Sequence, residues 1–417
     1  MEARHRELPV EADVVIVGGG VMGVSAAYHL ARSGVARVVL LEKHELGEGS
    51  TSKSAGGVRA LFSDDINIAL GLHSLETFER FGEEFDQDID LQQVGYLFLL
   101  ENDADVATFT KNAELQRSLG VDSRMISVEE AAALSPLIDT GGLKAALWSP
   151  RAGHCTPDSV VQGYARAART AGATILTHTA ATSLEMDGST IVGVRTTRGE
   201  ISCPTVICTA GARSKEVGAW AGVSLPVEPL RRQILTTEAM PGLDPRTPFT
   251  IDFSTSLYFH NEGNGLLIGM AEPEDSWSFD VSRDPGWLPS VGEALQRRVP
   301  SLVDVGIRSG WAGLYEMTPD ANALIGRSQD VPGFLYACGF SGHGFLMGPA
   351  VGEVLRDLYL DQTPVVDVTA LSLDRFHRNQ ARPELNIVWT TASQSQASTP
   401  PRSSSPCLVP TYPRLRP

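Results

Sequence analysis

Cysteine is scarce in this 417-residue chain: Cys155, Cys203, Cys208, Cys338 and Cys407 are scattered, and no two form a C-x-x-C pair. An odd, dispersed set argues against a disulfide scaffold and a thiolate zinc site, no metal is expected, and reduced thiols fit an intracellular, cytoplasmic protein. Basic residues are also short, with 34 Lys and Arg against 50 Asp and Glu and a net charge of −16. Such a surface repels phosphate backbones and anionic lipid, so nucleic-acid and membrane-surface binding are not expected. Long apolar runs are missing as well. The most apolar N-terminal stretch, Val14 to Ala31, is broken by three consecutive glycines and holds His29, and Glu11 and Asp13 stand where an export signal would be positive; neither a membrane span nor a leader is read there. What remains is 42% apolar and 20% charged, an ordinary globular composition with length for two or three folding units. The last 26 residues, 392–417, hold six prolines, six serines, three arginines and no acid. They read as a disordered extension, which leaves the body more acidic than the whole.

The N-terminal pattern is the most informative. Residues 13–17, DVVIV, predict a buried strand, followed at once by G-G-G-V-M-G and a small-residue helix from Val21 to Arg32. Gly18 allows the tight turn, Gly20 lets backbone approach a pyrophosphate, and Gly23 allows close helix–strand packing, while the N–H groups from Val21 and Met22 onward face the anion. A second strand, Ala36 to Leu41, ends at Glu42, placed to accept the adenosine ribose hydroxyls. Strand, glycines, helix, strand and acid in this order define a dinucleotide site, where a lone G-x-G-x-x-G would not.

Two further segments bear on which dinucleotide. Lys43 leads into a stretch with Gly49, Ser50, Thr51, Ser52, Gly56 and Gly57, whose hydroxyls and N–H groups can hold a diphosphate and a ribityl chain. Near the other end, a strand from Phe334 to Ala337 precedes the turn Gly339-Phe340-Ser341-Gly342-His343-Gly344 and a helix predicted over Gly348 to Leu360. That second helix N-terminus suits a reduced flavin, which is anionic on its pyrimidine side.

The motifs DVVIVGGGVMGVSAAYHLA, EKHELGEGSTSKSAGG, VICTAGARS, WAGLYEMTPDANALIG and GFSGHGFLMGPAVGEVL together resemble the D-amino-acid oxidase superfamily of FAD-dependent oxidoreductases. Within it the chain is similar to the sarcosine oxidase β-subunit, proline dehydrogenase β-subunit and glycine oxidase group. The resemblance implies an α/β protein: a Rossmann-type FAD-binding domain from segments 10–60, 150–214 and 313–385, and an α+β substrate domain on an antiparallel sheet from 61–149 and 215–312. It implies FAD contacts at Ala181, Ala210, Gly211, Phe345 and Leu346 besides the glycines named above. The activity it implies is oxidation of the C–N bond of a small amine or amino acid by hydride transfer, giving an imine that hydrolyses. Oxygen or another redox protein would be the electron acceptor, with further subunits in some relatives. An amino-acid oxidase producing peroxide, or a non-catalytic FAD-binding assembly factor of a respiratory complex, are the alternatives.

Departures from the family patterns narrow the chemistry. The carboxylate-clamping arginine of glycine and D-amino-acid oxidases is replaced by Tyr315, and the lysine that follows G-H-G-F in monomeric sarcosine oxidases by Leu346. The oxygen-promoting lysine strand reads Gly265-Leu266-Leu267-Ile268-Gly269. Positions that bond flavin covalently in relatives hold Lys53 and, nearby, Gly313, so noncovalent FAD is expected. The remaining candidates for the chemistry are Arg59, placed to reach flavin or a substrate carboxylate, Tyr258 and His260 on one face of a strand, Tyr315, and His343 in the glycine turn. Arg231 and Arg232 are read as preceding a strand Gln233 to Thr236, and Cys338 as a core residue.

Overall fold

The computed structural model describes residues 7–386; the proposed tail and Cys407 lie outside them. Six strands form the first sheet, in the order Leu324–Arg327, Phe334–Cys338, Val206–Cys208, Val14–Val17, Val38–Leu41 and Thr174–Leu176, all parallel except the outermost, Leu324–Arg327. Its strands are buried on both faces, which is why they read as unbroken β-branched runs. Val14 and Ile16 face the helices Val21–Arg32, Pro157–Thr170 and Gly344–Tyr359. Their neighbours Val15 and Val17 face the other way, onto an antiparallel three-stranded sheet of Ala181–Asp187, Thr190–Thr196 and Gly199–Ser202 through Leu184, Ile191, Val194 and Ile201.

The second large sheet has eight strands, in the order Ile307–Met317, Glu228–Thr237, Gly265–Met270, Tyr258–Glu262, Phe249–Asp252, Tyr96–Leu100, Ala145–Ser149 and Arg124–Ile126. All pairings are antiparallel except Phe249–Asp252 with Tyr96–Leu100. Strand alternation sorts its side chains. Leu97, Leu99, Phe259 and Ile268 pack on the helix Leu288–Arg298 and on Trp287, whereas Tyr96, Phe249, Ile251 and Tyr258 point into a cavity between the two large sheets. The chain is therefore α/β, a Rossmann-type parallel sheet joined to a mostly antiparallel one.

Several boundaries differ from expectation. The C-terminal helix starts at Gly344, not Gly348, with Pro349 inside it. Pro349 leaves the Phe345 carbonyl without its intrahelical donor, and the helix N-terminus abuts the glycine turn. Further along, a helical stretch breaks at Arg80 into Asp65–Glu79 and Phe81–Phe85. The second piece turns so that Phe81 and Phe85 reach Tyr164, at ring-centroid distances of 5.3 and 4.7 Å. Arg231 and Arg232 lie within their strand and pair with Glu272 at 2.7 Å and Asp275 at 2.9 Å, tying it to the segment after Met270.

Candidate active site

The cavity measures about 690 Å³ and runs from the end of the parallel sheet to the inner face of the eight-stranded sheet. At the sheet end, two glycines are required by contact. A Cβ on Gly18, at φ +114°, would meet the Thr209 carbonyl oxygen at 2.3 Å, and one on Gly23 would meet the Gly18 oxygen at 1.9 Å. Gly23 thus sits behind the cavity wall, as close helix packing demands, while Gly18, Gly20, Val21 and Met22 line it. Glu42 is oriented by two backbone donors: Gly19 N–H gives to Oε2 at 2.8 Å and His44 N–H to Oε1 at 2.9 Å. Lys43 and Ala181 flank this end of the cavity.

The loop that follows folds back over the helix start. Thr51 Oγ1 accepts from Val21 N–H at 3.2 Å, and Ser50 Oγ donates to the Leu314 carbonyl at 2.7 Å, fastening the loop to the strand Ile307–Met317. Gly49, Ser50, Thr51, Gly56 and Gly57 line the cavity; Ser52 does not, its N–H closing the loop onto the Gly47 carbonyl at 2.9 Å. Ala210 and Gly211 complete this stretch.

Gly342, His343, Gly344, Phe345 and Leu346 form the next part of the wall. Gly342 has φ +93° and its Cβ would lie 2.3 Å from the Tyr315 ring, so glycine is needed both for conformation and for space. Gly339 lies off the cavity, and its N–H donates to Glu316 Oε2 at 2.8 Å. His343 is buried, its ring 5.4 Å from Phe62, and neither ring nitrogen has a hydrogen-bond partner. Burial, and then the Arg59 guanidinium, push its pKa down to about 3, with a smaller opposing contribution from the Ser341 backbone, so the imidazole is neutral at physiological pH.

Arg59 is buried on the wall at the far end. Its guanidinium lies 4.4 Å from the Phe62 ring centroid, 5.5 Å from that of Phe98 and 5.9 Å from that of Tyr96, and it donates to the Leu61 and Asn386 carbonyls. No carboxylate among the described residues comes within ion-pair distance of it, and burial holds its pKa below the usual arginine value. Tyr258 and Tyr315 join it on the wall, both with hydroxyl pKa values raised by burial.

His260 is a correction. It shares the face of Tyr258, both packing on Phe249, but does not line the cavity. Its Nε2 lies 2.9 Å from the Ala55 carbonyl and its Nδ1 2.7 Å from that of Asn261, one of which takes the ring N–H, and its ring is 4.1 Å from that of His154 in a tilted contact. It supports the Ala55–Gly57 loop from beneath. Sequence reasoning also missed Tyr96, Phe249 and Glu316, all on the wall. Tyr96 and Phe249 stack at 4.2 Å across strands more than 150 residues apart, a contact no local pattern reveals. Glu316 did carry a local signal, an acid next to Tyr315 in a strand aimed at the glycine turn.

The residues present fit a dinucleotide carrying a redox ring. The residues that cap the two helices facing the cavity, Gly20 before Val21–Arg32 and His343 before Gly344–Tyr359, place no side chain on the N-terminal N–H groups, and Thr51 Oγ1 takes only that of Val21. A Cβ on Gly49 or Gly211 would meet nothing within 4 Å, so these glycines leave cavity volume open. The orphaned nitrogens of His343 want a partner in the cavity. The fold and site thus define a flavin-type oxidoreductase, and the comparison with known families names it: residues 13–358 match the FAD dependent oxidoreductase (DAO) family, to which the chain belongs, and the cofactor is FAD.

Among similar proteins, mitochondrial sarcosine dehydrogenase of Homo sapiens is 29% identical over 90% of this chain; the match covers 42% of that protein, so the chain spans about two fifths of its length. Sarcosine oxidase subunit beta of Rhizobium meliloti is 27% identical, with 88% of each chain covered. The crystal structure of L-proline dehydrogenase from P. horikoshii superimposes with a TM-score of 0.85 at 32% identity, covering 90% of this chain and all of the other. Among the described residues no helix is long and apolar enough to cross a membrane.

Proposed function

We propose that this chain oxidises the C–N bond of a small amino acid or related carboxylated amine, of the sarcosine, proline or glycine kind. Arg59 carries the reading: a buried guanidinium on the cavity wall, in an aromatic setting and without a carboxylate partner, is a receptor for an anion brought in by the substrate. Bound FAD supplies the two-electron acceptor, and the names of the relatives above support amine chemistry. Orientation falls to the protein. Arg59 fixes the carboxylate. The hydroxyls of Tyr258 and Tyr315 stay protonated and act as hydrogen-bonding walls. His343 is neutral, so it does not repel a substrate ammonium, and can accept a hydrogen bond from the amine. Glu316, whose pKa burial raises to about 7, is the wall carboxyl able to take up a proton in the physiological range.

On this reading the FAD-binding domain comprises 10–60, 150–214 and 313–385, the substrate domain 61–149 and 215–312, and FAD is held noncovalently. A Cβ on Gly313 would lie 2.5 Å from Lys53 Cβ, so the two positions where relatives attach flavin adjoin, and neither carries histidine or cysteine here. The test is anaerobic mixing of the FAD-loaded protein with sarcosine, proline, glycine, dimethylglycine and D-amino acids. One of these should bleach the flavin absorbance. If none does while dithionite does, the proposal fails, and admitting air after a successful reduction separates an oxidase from a dehydrogenase that passes electrons to a redox protein.

A further inference from the structure

We propose that the segment Arg382 to Asn386 is a strap that sets the position of Arg59, and that Glu384 is a positioning residue for binding of the substrate carboxylate. The inference rests on the reading of Arg59 given above. Two backbone carbonyls hold its guanidinium. Leu61 is two residues away, whereas Asn386 is 327 residues away and accepts from Nη2 at 3.4 Å. The orientation of the cation therefore depends on where the chain places residue 386.

Three anchors fix that place. Arg382 pairs with Asp64 at 2.6 Å and Asp65 at 2.7 Å, at the start of the helix that follows Arg59. Asn386, fully buried, accepts through Oδ1 from Asn112 Nδ2 at 2.8 Å. Between them Glu384, 4% exposed, gathers four donors: Oε1 takes Ser63 N–H at 2.9 Å, Ser63 Oγ at 2.7 Å and Asn386 N–H at 2.9 Å, while Oε2 takes Asn67 Nδ2 at 3.0 Å. All four donors are neutral, so the carboxylate is satisfied without an ion pair, and its field favours the charged form of Arg59 without occupying the guanidinium. A direct Arg59–Glu384 pair would have closed the anion site. Holding the carboxylate one layer back supports the cation and leaves its hydrogen-bonding edge to the cavity.

A strap that only stabilised the fold would affect every ligand alike; a positioning strap acts on carboxylates. The experiment measures dissociation constants on the FAD-loaded protein from the flavin absorbance change, using acetate as the probe and simple amines without a carboxylate as controls. Glu384→Ala is expected to weaken acetate by about 10-fold or more and to raise KM for the amino-acid substrate similarly, with kcat within about twofold and the amines unaffected. Glu384→Gln, which keeps the oxygen facing Ser63 and Asn386, should recover most of the loss. Should Glu384→Ala fail to fold, Asn112→Ala releases Asn386 from the other side and should weaken acetate by about threefold. Unchanged acetate affinity in these variants, or equal weakening of acetate and amines, overturns the strap while Arg59→Lys still weakens acetate. Unchanged affinity in Arg59→Lys removes the anion-receptor reading itself, and the strap with it.

Discussion

Glu316 offers a direct check on the electrostatics of the cavity. Glu316 lines the cavity, and burial lifts its pKa from 4.5 to about 7 against the Gly339 N–H, which favours the charged form. At about 1.4 kcal/mol per pH unit, the charged carboxylate is disfavoured in the folded state by about 3 kcal/mol. Between pH 4.5 and 7 the folded protein retains a proton that the unfolded chain has released. Stability from this group is therefore full below about pH 4.5, falls as the pH rises through 7, and is level above that. Glu316→Gln keeps an oxygen for Gly339 N–H and has no proton to lose. Urea unfolding followed by tryptophan fluorescence should give equal stability for the two proteins near pH 4.5, and a variant more stable by about 3 kcal/mol at pH 8. Parallel stability curves across that range would refute a buried, cavity-facing carboxyl. The same substitution should remove an inflection near pH 7 from the rate of flavin reduction by substrate.

Gly23→Ala places a methyl 1.9 Å from the Gly18 oxygen; the helix must shift, and FAD affinity by fluorescence titration should fall by roughly 100-fold or more, with about 1–3 kcal/mol of overpacking cost. His343→Phe keeps the ring beside Phe62 and removes both unpartnered nitrogens, so kcat/KM should drop by about 10-fold or more; an unaltered value would make His343 a packing residue. Arg59→Met should raise KM for amino-acid substrates by about 10- to 150-fold, the worth of one charge-assisted hydrogen bond, and leave amines without a carboxylate unaffected. His154 is buried with its pKa lowered to about 4, so its contribution to stability is complete above pH 6.5 and is lost as the pH falls toward 4; His154→Phe should cut the stability lost between pH 7 and 5 by about 2 kcal/mol in urea titrations.

The sequence makes the nucleotide end of this site legible and the substrate end much less so, because different kinds of contact build them. Gly18, Gly20, Gly23 and Glu42 act through backbone shape and short range, so their spacing is their function. The loop 49–57 and the glycine turn announce themselves in the same way. Arg59, Tyr258 and Tyr315 could be named from position along their segments, but their company could not. Tyr96, Phe249, Glu384 and Asn386 reach the site through strand pairing or a chain return from far away. His260 shows the opposite error. Alternation correctly put it on the face of Tyr258, yet two residues along the strand carry it past the cavity edge to the Ala55 carbonyl.

The charge of the chain points to the same division. A net charge of −16 disfavours the approach of any anion, yet the protein binds a diphosphate and, on the reading above, a carboxylate. Helix N-termini meet the first demand with backbone dipoles that no charge count records. A cation held apart from its nearest carboxylate meets the second. Both act only at contact distance, so the association rate of an anionic substrate should gain nothing from low salt, whereas its affinity should depend steeply on Arg59. Stopped-flow reduction of the flavin at 20 and 200 mM salt distinguishes the two; a rate constant that rises at low salt would place attractive charge at the mouth that the wall residues do not supply.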